Sequence, residues 1–307
     1  MSEIILHHYP LSPVSEKVRI ALGIKKLAWR SVEIPRVPPK PDVMPLTGGY
    51  RRTPIMQIGA DIYCDSQCIL RELERQHPNP TFFPGGSEGF SWMMNRWTDG
   101  LFDMEARLLI GSGAGSLPEA FLKDRGRLFF GPDWKIETIR EGLPHTAAQL
   151  RVAFALLDRQ LADGRRFIAG DQAGLMDATA YYLVWFIRPR WEGGPALIGE
   201  FAALEAWEQN VKAIGHGSSS PMTSGEAIEV ANSSKTATPE RADKRDPQGL
   251  KPGMRVTVAP DLDSGEEPVA GIVRAADTFT VSILRDDPRV GTVCVHFPRT
   301  GYRVRPA

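Results

Sequence analysis

The sequence predicts a multidomain protein with an α/β domain, an all-helical domain and a small all-β, barrel-like domain, in that order. Three observations predict it. Strand-like and helix-like runs alternate over residues 1–80, apolar residues recur at helical spacing over 88–214, and the apolar period falls to two over 248–307. A chain of 307 residues is also longer than most single domains.

The first domain is predicted from its order of elements, β-α-β-loop-β-β-α. Four strands are expected at residues 4–8, 29–34, 54–58 and 61–63, and two helices at 15–22 and 66–76. A proline-rich loop that could hide an irregular helix separates the second strand from the third. A βαβ unit followed by a ββα unit indicates a small mixed sheet flanked by helices.

The second domain, residues 88–214, is predicted to be all helical because it carries long apolar stripes. The three clearest stripes contain Met93, Trp97, Leu101, Met104 and Leu108, then Leu150, Phe154, Leu157 and Leu161, and finally Phe201, Leu204, Trp207 and Val211. Aromatic residues at helical spacing are usually core residues. Met94, Trp97 and Phe102 are nevertheless candidates for lining a pocket.

Residues 215–247 are rich in Gly, Ser, Pro and charge, which predicts a linker with one candidate short helix at 223–231. Residues 248–307 then alternate apolar and polar side chains in about five short strands. Acidic and basic residues are mixed there, Glu266 among them, and this predicts a solvated face. We expect the module to dock on its own subunit or on a second copy, and its role is unknown.

Charge and cysteine content narrow the classes of partner and compartment. Lys plus Arg and Asp plus Glu number 37 each, so nothing indicates nucleic acid or an anionic membrane as partner. The three cysteines are too few for a disulfide framework. The polar start of the sequence does not resemble a signal peptide, and we expect a cytoplasmic protein.

The segment from Tyr9 to Arg19 carries the first chemical motif. Ser12-Pro13 follows the first strand and begins a helix, whose N-terminus favours an anion. Two interpretations remain open: Ser12 or Ser15 caps the helix, or the Ser12 hydroxyl donates a hydrogen bond to a thiolate.

Two further motifs lie at the starts of later elements. Arg52-Thr53-Pro54 opens the third strand, where a cis peptide bond would leave the Thr53 backbone to pair with a peptide-like ligand. Asp65-Ser66 begins the next helix. These two residues could simply cap it, or could hold the carboxylate and ammonium of an amino acid.

In this order, the three motifs resemble the glutathione site of cytosolic glutathione transferases, whose first domain is thioredoxin-like. The resemblance implies that Ser12, or alternatively Tyr9, is the catalytic hydroxyl. It also implies that Pro54 is the family's cis-proline, here after Thr53 where valine is usual. Asp65 and Ser66 would then bind the γ-glutamyl group.

A fourth segment, residues 167–177, resembles the buried capping motif of the family's helical domain. Gly174 stands where the family has Ser or Thr at the cap, and Asp177 is retained. Glycine at an N-cap costs only a few tenths of a kcal/mol relative to serine. We expect both residues to have a structural role.

The resemblance implies a homodimeric detoxification enzyme that uses glutathione as co-substrate, and no metal, to attack a small electrophile or a peroxide. Serine at positions 12 and 15 excludes dithiol exchange through this motif. The glycyl carboxylate of glutathione needs a cation, and Arg52 is chosen over Lys40 and Arg51. The alternative is a non-catalytic glutathione-binding or scaffolding protein whose β module mediates an interaction.

Overall fold

The computed structural model describes residues 3–307, which form two compact units. The first, called here the sheet unit, comprises residues 3–15, 28–73 and 218–307. The second, the helical unit, comprises residues 16–27 and 74–217.

Residues 5–76 have the predicted thioredoxin-like order of elements. These are β1 (Ile5–His8), α1 (Pro13–Ile24), β2 (Ala28–Glu33), α2 (Met44–Thr47), β3 (Ile55–Ile58), β4 (Asp61–Cys64) and α3 (Ser66–Gln76). β1 pairs parallel with β2 and antiparallel with β3, which pairs antiparallel with β4. The short helix α2 lies inside the proline-rich loop.

Residues 218–242 add β5 (Ser218–Pro221), α11 (Ser224–Asn232) and β6 (Arg241–Ala242) to the sheet unit. β5 pairs parallel with β2, so it covers that edge of the thioredoxin sheet. Thr223 caps α11, because its side-chain oxygen accepts a hydrogen bond from the Glu226 amide. The Glu226 carboxylate in turn accepts a hydrogen bond from the Thr223 amide. Much of the segment between the helical domain and the C-terminal strands is therefore ordered structure.

The C-terminal strands form the predicted additional β domain. They are β7 (Arg255–Pro260), β8 (Val269–Ala276), β9 (Thr280–Asp287), β10 (Gly291–Pro298) and β11 (Tyr302–Pro306), in the spatial order β11-β7-β8-β9-β10. β10 also pairs parallel with β4, with Cys294 opposite Asp61 and His296 opposite Tyr63. The C-terminal strands thus continue the thioredoxin sheet, and one hydrophobic core runs through both parts.

The helical unit confirms the second domain of the predicted fold. Its seven main helices are α4 (Glu88–Gly113), α5 (Glu119–Phe130), α6 (Ile136–Glu141), α7 (Leu143–Leu161), α8 (Leu175–Arg190), α9 (Gly194–Ile198) and α10 (Ala202–Lys212). Of the stripe predicted on α4, Leu101 and Leu108 are buried, whereas Met93 is 59% and Trp97 38% exposed. The first half of that stripe is therefore not core. None of the helices in the described chain is both long and apolar enough to cross a membrane.

Gly174 and Asp177 form the start of α8. Asp177 accepts hydrogen bonds from the Gly174 amide at 2.8 Å, the Ile168 amide at 2.9 Å and the Trp207 indole at 2.8 Å. A Cβ atom at Gly174 would lie 2.7 Å from the carbonyl oxygen of Phe82. That close backbone contact explains why glycine replaces the expected serine or threonine.

Candidate functional site

Ser12 lies at the tip of α1, immediately before its first helical residue. Its Oγ accepts a hydrogen bond from the Ser15 amide at 3.2 Å, while its own amide donates to the Tyr9 carbonyl oxygen at 3.1 Å. Ser12 is 2% exposed. The capping geometry is therefore present, but a hydroxyl that accepts one bond can still donate its proton. Capping and donation to a thiolate are compatible at this residue.

Two other side chains lie close to Ser12 in the sequence. The half-buried Tyr9 ring has the Arg36 guanidinium 5.8 Å from its centre. Ser15 is fully buried, and its Oγ has no hydrogen-bond partner within the described chain. The tip of α1 therefore contains a second serine hydroxyl, which the sequence suggested only as a cap.

The segment before β3 contains Thr53 and Pro54, whose peptide bond is cis. The Lys40 ammonium donates to Thr53 Oγ1 at 2.9 Å and to the Arg51 carbonyl oxygen at 2.8 Å. Lys40 is buried, so it fixes this segment from inside the sheet unit. Lys40 was a second candidate for the cation that binds the glycyl carboxylate, and its ammonium is already hydrogen-bonded within the protein.

Asp65 precedes α3 and adopts a left-handed backbone conformation with φ of +74°. Its Oδ1 accepts from the Gln67 amide at 2.9 Å, which is a capping bond, and its Oδ2 accepts from the Tyr302 hydroxyl at 3.0 Å. Burial and the nearby Asp65 charge raise the pKa of Tyr302 well above its ordinary value, so the phenol stays a donor. Ser66 is the first residue of α3 and is buried.

Arg52, the predicted carboxylate-binding cation, is already paired. Its Nε and Nη2 lie 2.8 and 2.6 Å from Glu266 Oε2, and Nη2 donates to Ser264 Oγ at 3.2 Å. The Glu266 side chain is only 2% exposed. The prediction of a solvated acidic face is therefore wrong at Glu266, because this carboxylate is drawn inward by Arg52.

Four C-terminal residues contact the segments predicted to bind glutathione. Besides Ser264, Glu266 and Tyr302, the Thr300 carbonyl oxygen accepts from Gln67 Nε2 at 3.4 Å. We call these four residues the C-terminal clamp. The sequence contained no motif that would identify them, since they become neighbours of Arg52 and Asp65 only when β10 joins β4 and β11 joins β7.

A buried cluster joins β4 to β10. His296 Nε2 lies 3.1 Å from Asp61 Oδ1, and the Cys294 sulfur lies within 4.8 Å of both. Hydroxyls of Thr236 and Thr238 also bond to Asp61, and Ser282 bonds to His296 Nδ1. Thiol, imidazole and carboxylate are donors that zinc uses. Here the carboxylate and the imidazole already bond to protein groups, and the expectation that the protein needs no metal stays a prediction.

Solved structures show which family the chain is similar to. The crystal structure of a GST-like protein from Pseudomonas syringae is 34% identical to this chain and covers 100% of both chains, with a TM-score of 0.79. The chain belongs to the glutathione S-transferase family. Residues 6–81 also match the family model for the glutathione S-transferase N-terminal domain, and residues 115–198 match a domain of unknown function, DUF7962.

More distant solved structures share the fold over part of the chain. FzlA from C. crescentus is 20% identical and covers 69% of this chain and 88% of its own, with a TM-score of 0.51. A Ceriporiopsis subvermispora glutathione S-transferase, solved in complex with glutathione, is 18% identical over 70% of this chain and 99% of its own, with a TM-score of 0.52. No curated protein sequence matches this chain.

Proposed function

We propose that this family member is a glutathione transferase in which the Ser12 hydroxyl stabilises the glutathione thiolate. The observation that carries the proposal is the position of Ser12 at the N-terminus of α1, a helix of 12 residues. Its hydroxyl retains a proton to donate, and the helix end adds backbone amides and a positive partial charge. Both favour an anion at this point.

Ser12 and the N-terminus of α1 can supply the free energy needed to lower the thiol pKa of glutathione. An ordinary thiol has a pKa near 8.5, and lowering it by two units takes about 2.7 kcal/mol. A hydrogen bond to a charged group contributes about 1.5–3 kcal/mol. A helix N-terminus adds about 0.3–1 kcal/mol. The two together are sufficient, so no metal and no histidine base enters the proposal.

The remaining predicted residues would anchor the peptide. Asp65 and Ser66 would take the γ-glutamyl group at the start of α3, and the Thr53 backbone would pair with the cysteinyl residue before Pro54. The thiolate sulfur would then bond to an electrophilic carbon, and the leaving group would depart with its electron pair. With a peroxide, the thiolate sulfur would attack one oxygen, the O–O bond would break, and the other oxygen would leave as an alcohol or water after protonation. A second glutathione thiol would then attack the resulting sulfenic acid, which would release water and give the disulfide. A glutathione complex of the distantly related Ceriporiopsis protein supports this class of ligand.

The test is the thiol pKa of bound glutathione, followed by thiolate absorbance at 240 nm as the pH is varied. We expect a value about two units below that of free glutathione in the wild type and a return toward the free value in Ser12→Ala. Tyr9→Phe and Ser15→Ala are the matched variants. We expect bound glutathione to keep its low thiol pKa in both variants. If the thiol pKa instead rises only in Tyr9→Phe, Tyr9 and not Ser12 is the residue that stabilises the thiolate. If the wild type binds glutathione without lowering its thiol pKa, the proposed catalysis is refuted.

Such a result would favour the second candidate, a non-catalytic glutathione-binding protein or scaffold. The contacts of the C-terminal clamp with Arg52 and Asp65 are the observation in its favour, because they show predicted ligand residues engaged within the protein. Turnover of a standard electrophile by the wild type, lost in Ser12→Ala, would exclude this candidate.

We also propose a homodimer, because α4 presents an apolar stripe that the described chain leaves exposed. Phe90 is 72%, Met93 59% and Trp97 38% exposed, and they recur at helical spacing. Met93→Glu should convert a dimer to a monomer in sedimentation, whereas Val152→Glu, at an equally exposed position on α7, should not. A wild-type monomer would contradict this part of the proposal.

A cytoplasmic location, a role in detoxification and the absence of a required metal complete the proposal. Three free, buried cysteines fit a reducing compartment. Elemental analysis of the purified protein should find no stoichiometric metal, and zinc at one equivalent would contradict that expectation.

A further inference from the structure

Glu266 has an unusual set of contacts for an acidic residue in a loop between strands. All of its hydrogen bonds converge on one oxygen: Oε2 faces Arg52 Nε and Nη2 at 2.8 and 2.6 Å and accepts from Ser264 Oγ at 2.6 Å. The other oxygen, Oε1, is buried and has no donor among residues 3–307. A buried carboxylate oxygen without a donor is unfavourable, and a ligand N–H would satisfy it.

The position of this oxygen relates it to the proposed glutathione site. Arg52 directly precedes Thr53, whose backbone would pair with the cysteinyl residue of glutathione, and the glycyl end would lie toward Arg52. A free glycyl carboxylate would find the charge of Arg52 already balanced by Glu266. It would also bring a second negative charge to a buried carboxylate, which is unfavourable.

We propose that Glu266 makes this site select γ-glutamyl-cysteinyl-glycine thiols whose glycyl end carries an amide N–H in place of a free carboxylate. The inference rests on the proposed function, since it assumes that glutathione-type thiols bind beside Ser12. The glycyl amide donates to Glu266 Oε1, and Arg52 holds Glu266 in position through Oε2. Arg52 is then a positioning residue and not the carboxylate receptor that the sequence predicted.

The experiment compares three probes by calorimetry: glutathione, its glycyl ethyl ester and its glycyl amide. The ester removes the charge without supplying a donor, so it separates repulsion from hydrogen bonding. The wild type should bind the amide about tenfold more tightly than glutathione, the ratio expected from one hydrogen bond to a charged group, with the ester between them. Glu266→Gln keeps the size of the side chain, and it should tighten glutathione binding severalfold and bring the amide and glutathione within about twofold.

Two control variants separate this effect from general damage to the site. Tyr302→Phe removes the donor to Asp65 at the γ-glutamyl end, so it should shift the affinity of all three ligands in parallel and leave their ratios unchanged. Glu267→Gln removes the neighbouring, exposed charge and should also leave the ratios unchanged. If circular dichroism shows that Glu266→Gln does not fold, the relative affinities of the three ligands for the wild type are sufficient to test the selectivity.

The possible results separate the selectivity for the glycyl amide from the proposed glutathione site itself. If the wild type binds glutathione as tightly as the amide, or if Glu266→Gln keeps the wild-type ratio, the selectivity is refuted while the glutathione site stands. If none of the three ligands binds the wild type, both the site and its selectivity are refuted.

Discussion

Replacing His296 by glutamine should remove a pH-dependent part of the stability of the sheet unit. His296 lies between Asp61 on β4 and Ser282 on β9, and stacks on Tyr63 with 4.3 Å between ring centres. Burial alone would lower its pKa, but the Cys294 sulfur and the Asp61 carboxylate outweigh burial and raise the pKa of His296 to about 9. The imidazolium therefore persists in the folded protein at neutral pH.

The size of the effect follows from the difference between folded and unfolded states. Unfolded histidine has a pKa near 6.5, so below that pH both states hold the proton and the full stabilisation is present. As the pH rises from 6.5 through 9, the unfolded chain releases its proton while the folded protein keeps it, and stability falls. Each pH unit of that interval is worth about 1.4 kcal/mol, which makes the total about 3 kcal/mol. Between pH 6 and 8 the loss should be about 2 kcal/mol.

Urea unfolding of wild type and His296→Gln at several pH values from 6 to 8 measures this loss. Glutamine can still donate to Asp61 but does not titrate, so the difference between the two proteins isolates His296. Burial raises the pKa of Cys64 and Cys68 well above the ordinary thiol value, and keeping below pH 8 avoids their contribution. Equal pH dependence in the two proteins would show that His296 is not an imidazolium in the fold.

Other predictions concern single residues. Asp177→Ala should lower the free energy of unfolding by about 3 kcal/mol or more, because three buried donors lose their acceptor, and Asp177→Asn should cost less; thermal unfolding measures both. His7 is fully buried against Gln57, and burial lowers the pKa of His7 to about 4. The contribution of His7 to the free energy of unfolding is present above pH 6.5 and is lost as the pH falls through 4. His7→Gln should therefore make the free energy of unfolding less dependent on pH in this acid range. An unchanged pH dependence would contradict this. Arg52→Lys should weaken binding of the glycyl amide, because lysine ends in a single nitrogen and cannot hold Glu266 through two. Calorimetry that shows equal affinity would contradict this.

Much of the fold was predictable because its signals are local. Strand period and helix starts predicted β1, β3, β4 and α3 to within one residue or so, and apolar stripes predicted the helical unit. The sequence also located the residues at the tips of α1 and α3, since Ser12 and Asp65 stand where helix caps are required.

The rest depends on contacts between residues far apart in the chain. The pairing of β10 with β4 has no local signal, and neither does the pairing of β5 with β2. For the same reason Glu266 was grouped with solvated acids, since only the fold brings Arg52 to it. The exposed start of α4 has the periodicity of a core helix, and periodicity alone cannot say whether a partner covers it.

The pairing between β4 and β10 also has a consequence for synthesis on the ribosome. β4 ends at Cys64 and its neighbour begins at Gly291, so the nascent chain holds a bare strand edge while more than 220 residues are added. At about 5–20 residues per second that interval lasts roughly 10–45 s. An unpaired edge can recruit other strands during that time, so chaperone protection should matter most until the last strands emerge.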